Sequence, residues 1–261
     1  MNKTFLRHTK SLSKAGGELT QKSTLEMEND NKLKDYALNL ISSFGSQWNV
    51  HQSLFLKRQT LSRLIYQYEL YRKIVDVPGV ICEFGVQWGA TLSILIGLRG
   101  ILEPYNISRQ VVGFDTFNGF PSVTVQDGGF GKSGDYSTKD GYESVLEKIL
   151  ALQETFSPLS HVKKFDLIKG DASITFKKWL QDNPAGIIAM AIFDMDIYQP
   201  TRDVLKLIVP RLTRGSLLVF DELNCRHWPG ETLALMETIG LNKLALRRHP
   251  HQPYCAWAVF E

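Results

Sequence analysis

An α/β fold with a mostly parallel sheet, covered by helices on both faces, is what this sequence predicts. Three observations predict it. Seven short apolar runs recur between residues 80 and 260, separated by amphipathic stretches of helical length. The runs are continuous rather than alternating, as strands buried on both faces require. The last two are joined only by RHPHQPY, too short for a right-handed crossover, so they should pair antiparallel.

Taken in chain order, residues 1–32 are rich in Lys, Ser, Thr, Asn and Glu and read as a polar, poorly ordered tail. Residues 33–77 read as an N-terminal helical segment. Leu33, Tyr36, Ala37, Leu40 and Ile41 follow helical spacing. A stronger helix from about Ser53 to Val75 puts Leu61, Leu64, Ile65, Tyr68, Tyr71 and Val75 on one stripe, ended by Pro78 and Gly79. The remaining domain, 78–261, takes strands at 80–86, 110–115, 165–170, 187–194, 216–222, 243–247 and 255–260. Helices are expected near 90–102, 142–156, 172–182, 200–211 and 230–240. Between the second strand and its helix lies a glycine-rich stretch, residues 118–140. A loop of that length beside the ligand-binding edge is expected to be a lid.

Composition narrows the function classes. With 43% hydrophobic and 22% charged residues, the chain is neither disordered nor fibrous. Three cysteines (Cys82, Cys225 and Cys255) without CxxC spacing give no zinc ribbon or disulfide framework and suit a reducing cytoplasm. A formal charge of +3 is too mild to call for nucleic acid. No apolar stretch is long enough for a membrane span, and the basic N-terminus lacks the apolar core of a secretory signal.

In an open α/β sheet the ligand sits beyond the carboxyl ends of the strands, so the residues there form the candidate site. Strand one ends in E-F-G-V-Q-W-G. Glu83 is followed by Gly85 and Gly89, which permit a tight turn and close approach of a cofactor to the backbone and the next helix N-terminus. Gln87 stands where a dinucleotide fingerprint would place its second glycine. Strand two ends at Asp115, placed to accept hydrogen bonds from ribose hydroxyls; Phe117 either stacks on an adenine or belongs to the core. Strand three ends in Gly170-Asp171-Ala172, where Asp171 serves an adenine amino group, caps the following helix, or does both.

Strands four and five deliver Asp194, Asp196, Asp221 and Glu222 into one crevice. Such carboxylates repel one another unless a cation neutralises them or their pKa values rise, and hard oxygen donors favour Mg²⁺ or Ca²⁺. The alternative is that they cap helices or pair with Arg202, Arg214 and Arg226. His227, a few residues on, is either a general base or a surface loop histidine; His249 and His251 read as exposed turn residues.

Seven strands with an antiparallel last strand, preceded by N-terminal helices, are similar to the Rossmann-like layout of class I methyltransferases. The segments E-F-G-V-x-W-G, F-D-T-F-N-G-F-P, K-G-D-A, F-D-M-D-I-Y-Q-P-T and F-D-E resemble the macrocin O-methyltransferase family over roughly residues 54–261. That resemblance implies an S-adenosylmethionine-dependent enzyme that methylates sugar hydroxyls of bacterial natural products. It also implies a divalent cation, usually Mg²⁺, held by Asp194, Asp221 and Glu222, where Glu222 replaces the family's usual Asp.

The expected function is therefore methyl transfer to a sugar hydroxyl, with Asp194 or His227 as the base. The acceptor is expected to be a small sugar-containing molecule, met in the cytoplasm by a homo-oligomer built through the N-terminal helices. A catechol or phenol methyltransferase, a non-catalytic nucleotide-binding module and, more remotely, a nicotinamide dehydrogenase are the rival readings.

Overall fold

The computed structural model describes residues 13–15, 18–20 and 23–261, and the chain divides into two compact units, 1–62 and 63–261. In the first unit β1 (Ser13–Ala15) and β2 (Glu18–Thr20) pair antiparallel. Helix α1 (Thr24–Leu40) begins well before Leu33, so residues 24–32 are helical rather than part of a loose tail. The cause is a capping box: the Glu26 amide donates to Ser23 Oγ at 3.2 Å, and the Ser23 amide donates to Glu26 Oε2 at 2.8 Å. The rest of the expected tail, β1 and β2 apart, lies outside the described residues. After α2 (Trp48–His51) a short 3-10 turn covers Gln52–Phe55, and extended backbone at Leu56 interrupts the helix expected from Ser53. Helix α3 (Arg58–Arg72) therefore starts later and ends earlier than its apolar stripe suggests.

The second unit carries the sheet. Its strands are β3 (Val80–Phe84), β4 (Val111–Asp115), β5 (Phe165–Lys169), β6 (Ile188–Phe193), β7 (Leu212–Phe220), β8 (Arg247–His249) and β9 (Gln252–Val259). They lie in the order β5-β4-β3-β6-β7-β9-β8. The first five are parallel, and β9 is antiparallel to both β7 and β8. The helices between them are α4 (Ala90–Leu102), α5 (Tyr142–Glu154), α6 (Ala172–Asp182), α7 (Tyr198–Ile208) and α8 (Gly230–Thr238). The strand expected at 243–247 is displaced: Leu241–Lys243 forms a 3-10 turn, while Leu244 and Leu246 pack against the core from irregular backbone.

Alternation along each strand divides the core between the two faces of the sheet. Ile81, Val111, Met190, Ile192, Leu217 and Val219 face one side with Tyr66, Leu70 and Tyr71 of α3, Leu92 and Leu95 of α4, and Leu146 of α5. Cys82, Phe84, Phe114, Phe193 and Phe220 face the other with residues of α6, α7 and α8. On that second face an aromatic row crosses four strands. Phe114 stacks on Phe84, Phe84 on Phe193 and Phe193 on Phe220, with ring centroids 5.0, 5.4 and 5.1 Å apart. The pairing register places these phenylalanines directly opposite one another. Each is the last or next-to-last residue of its strand, so the row anchors the four strand ends where the candidate site begins.

Candidate functional site

The topological switch point lies at β3, which pairs with β4 on one side and β6 on the other. The loops leaving β3 and β6 meet there. Gly85 has φ of +96°, and a Cβ on it would lie 1.8 Å from the Asp194 carbonyl oxygen, so only glycine lets these two loops touch. Gly89 (φ +81°) is the N-cap of α4.

The residues expected to hold a cofactor line this edge. Glu83 is 1% exposed, and its Oε2 is buried without a hydrogen-bond partner. Burial, reinforced by the charge of Asp194, raises its carboxyl well above the usual range, and Arg63 offsets only part of that. Asp115 accepts the Gln87 amide at 2.8 Å and the Phe117 amide at 2.5 Å, tying the loops after β3 and β4 together. Burial raises its carboxyl as well, against the pull of those amides. Asp171 is the N-cap of α6, accepting from the Ser173 amide at 2.9 Å, with Gly170 before it and buried Ala172 after it. Phe117, read as either stacking or core, is 2% exposed and belongs to the core cluster.

Strands β6 and β7 bring the other carboxylates together. Asp194 is pushed well above the usual range by burial and by Asp221, with Arg63 acting in the opposite direction. Asp196, at φ +60°, is raised by burial and by Glu222 and Asp221. Burial and Asp221 push Glu222 up to about 7, against a hydrogen bond from Cys225 that lowers it. Sequence reasoning missed the fifth member, Glu231 at the start of α8. It is fully buried and accepts the Glu222 amide at 3.1 Å. Burial and Asp196 raise it well above the usual range.

Three further groups join the cluster without a signal in the sequence. Arg63 Nη2 lies 3.4 Å from Asp194 Oδ2. The Cys255 thiol donates to Asp221 Oδ1 at 2.8 Å, and burial followed by Asp221 raises its pKa. Tyr66, one turn from Arg63 on α3, is raised by burial and by Cys255. Of the arginines named as possible partners, Arg202 pairs instead with its neighbour Asp203.

His227 packs edge-on against Phe130, ring centroids 4.7 Å apart, in the 118–140 segment. His249 is not an exposed turn residue. It is 3% exposed, with Nε2 2.7 Å from Glu69 Oε2 and its ring 4.7 Å from that of Tyr66. The 118–140 segment is also held in place. Buried Asp127 accepts the Tyr198 amide at the start of α7 (2.6 Å) together with the amide and hydroxyl of Thr124 (2.6 and 2.8 Å).

Among the described residues, no three of His, Cys, Asp or Glu are set out as a ready metal-ligand group. The donors nonetheless suit a hard divalent cation in kind. They are carboxylates that raise one another's pKa, and Glu222 Oε2 and Glu231 Oε1 are buried without a hydrogen-bond partner. An unneutralised cluster of this kind is costly, and a cation would relieve it.

This strand order, with the switch point at β3 and an antiparallel final pair, is the Rossmann-like fold of class I methyltransferases. The chain belongs to the family described as Macrocin-O-methyltransferase (TylF), which matches residues 58–233. A Streptomyces olivaceus protein, 8-demethyl-8-(2,3-dimethoxy-alpha-L-rhamnosyl)-tetracenomycin-C 4'-O-methyltransferase, is 30% identical over 183 residues. That match covers 68% of this chain and 65% of the relative, so the aligned part is less than two thirds of the relative's length. The crystal structure of CalS11, a calicheamicin methyltransferase, superposes with a TM-score of 0.86 at 37% identity, covering 95% of this chain and 98% of that one. An apo structure of CalS11, described there as a TDP-rhamnose 3'-O-methyltransferase, gives 0.79 at 35% identity over 92% and 96% of the two chains.

Proposed function

We propose that this protein transfers the methyl group of S-adenosylmethionine to a hydroxyl of a deoxysugar, either nucleotide-linked or already attached to a natural product. The observation that carries the proposal is the split of carboxylates at the sheet edge: Glu83, Asp115 and Asp171 on one side, and Asp194, Asp196, Asp221 and Glu222 on the other. Family membership and the near full-length likeness to CalS11 support a sugar acceptor.

On this reading Glu83 and Asp115 accept hydrogen bonds from the cofactor, while Gly85 and Gly89 let it approach the backbone. Phe117 contributes its amide to Asp115 rather than its ring to the adenine. Methyl transfer is a direct displacement, so alignment of acceptor oxygen, methyl carbon and sulfur is the main requirement. Asp194 accepts the proton of the acceptor hydroxyl. It stands at the end of β6, beside the acidic pair that follows β7. His227, engaged with Phe130, is the second candidate for that proton. Asp221 and Glu222, with Asp194, would hold Mg²⁺ or another divalent cation. Such a cation supplies charge that acidifies a coordinated hydroxyl.

No helix among the described residues is long and apolar enough to cross a membrane. We place the reaction in the cytoplasm, supported by three buried cysteines that are all free. Self-association is supported by an apolar surface groove of about 430 Å³ between α3 and α4, lined by Leu64, Ile65, Tyr68, Ile94, Leu98 and Ile101.

The test is methyl transfer from labelled S-adenosylmethionine to nucleotide-linked deoxyhexoses, deoxysugar glycosides and catechols, with chelator and with Mg²⁺. Turnover on a sugar that chelation abolishes and Mg²⁺ restores is the expected result. Turnover on catechols alone would overturn the sugar assignment. Full turnover after exhaustive chelation would remove the metal and pass the base to His227.

A further inference from the structure

The acidic cluster draws an ion pair from outside the strand ends. Among the described residues, Arg63 is the cation that pairs with one of its carboxylates, Nη2 to Asp194 Oδ2 at 3.4 Å. Arg63 feels Asp221 and Glu83 as well as Asp194. Its side chain keeps 37% of its surface exposed and that of Asp194 keeps 27%, so the guanidinium can leave without unpacking the core. Tyr66, next along the same face of α3, lies against Cys255, whose thiol holds Asp221. Helix α3 thus reaches both carboxylates through two residues one turn apart.

We infer that Arg63 is a built-in stand-in cation: it neutralises Asp194 when no metal is bound and opposes a divalent ion that takes the same carboxylate. The inference rests on the metal reading above. A guanidinium and a divalent cation that share one carboxylate repel each other, so each weakens the other's hold on Asp194. Arg63 is therefore a positioning residue. It offsets the repulsion among the carboxylates when no metal is bound and weakens metal binding by repelling the incoming ion.

The test measures Mg²⁺ binding by calorimetry on the full chain after chelation, at constant ionic strength, with thermal unfolding of the metal-free samples alongside. Arg63→Met should bind Mg²⁺ at least fivefold more tightly than the wild type, while its metal-free form melts at a lower temperature. Arg63→Lys, which keeps the charge, should stay near the wild type in both. Arg248→Met removes the same charge from the exposed surface of β8 and should change neither. Binding by Arg63→Met that equals or falls below the wild type, where the wild type does bind, overturns the inference and leaves the metal reading standing. Binding seen in Arg63→Met but not in the wild type supports the inference. No binding in any variant removes both.

Discussion

Asp115 carries two tasks on one carboxyl group. Its Oδ2 accepts from Gln87 and its Oδ1 from Phe117, yet each oxygen of a carboxylate offers a second lone pair. On the proposed reading, those remaining sites take the ribose hydroxyls of the cofactor. Asp115→Ala should therefore lower S-adenosylmethionine affinity at least tenfold, about 1.4 kcal/mol or more. Calorimetric titration checks this, and circular dichroism checks that the fold survives; undiminished affinity would place the ribose elsewhere. Asp115, Asp194 and Asp221 could be read from sequence because each directly follows a strand-ending Phe. Arg63, Glu231 and Cys255 could not. Arg63 reads as the polar side of a helix, Glu231 as a first-turn helix acid and Cys255 as a strand residue. Arg63 and Cys255 meet the cluster only because the fold closes separations of 131 residues to Asp194 and 34 to Asp221.

At the scale of elements, periodicity located the five helices α4–α8 and the five parallel strands of the second unit, because buried parallel strands are continuously apolar and their covering helices are not. It failed where contacts between distant segments decide the backbone. The KLALR stretch has strand composition, but Leu244 and Leu246 pack on the core while the pairing edge begins only at Arg247. The 118–140 stretch is largely irregular backbone, as its composition predicts, and Asp127 fastens it to α7. Gly230 belongs to the same junction: a Cβ there would lie 2.5 Å from the Tyr198 amide nitrogen and 2.6 Å from Asp127 Oδ1. Asp127→Ala would leave the buried Tyr198 amide and the half-buried Thr124 amide without their partner. The expected cost is about 3 kcal/mol in urea unfolding, since buried donors left unpaired each lose on the order of 1–3 kcal/mol. Cleavage within 118–140 under limited proteolysis should rise at the same time. A variant of wild-type stability and wild-type cleavage would show that the segment is held by something other than Asp127.

For the molecule as a whole, the acidic edge sets how stability responds to pH. Burial and mutual repulsion raise Glu83, Asp194, Asp196 and Glu231 well above the ordinary range, and Glu222 to about 7. A carboxyl whose folded pKa exceeds its unfolded one stabilises the fold while protonated in both states. That contribution is lost as pH climbs through the folded value. For Glu222 the loss runs from about 4.3, the unfolded value, to about 7. Carboxyls shifted the other way, such as Glu103 bonded to Arg109 and Tyr71, contribute fully above the ordinary range and so stay constant over this window. Metal-free protein should therefore melt at progressively lower temperature between pH 5 and pH 8, and Mg²⁺ should recover part of the loss at the upper end. Glu222→Gln, which fixes the neutral form, should flatten the profile. At pH 8 it should exceed the metal-free wild type by on the order of 1–2 kcal/mol, after allowing for the partial exposure of Glu222. The same variant should gain less from Mg²⁺, because one of the proposed donors is gone. Parallel melting profiles for the two proteins across pH 5–8 would mean that Glu222 does not carry the strain assigned to it, and the acidic edge would then have to be neutralised from within.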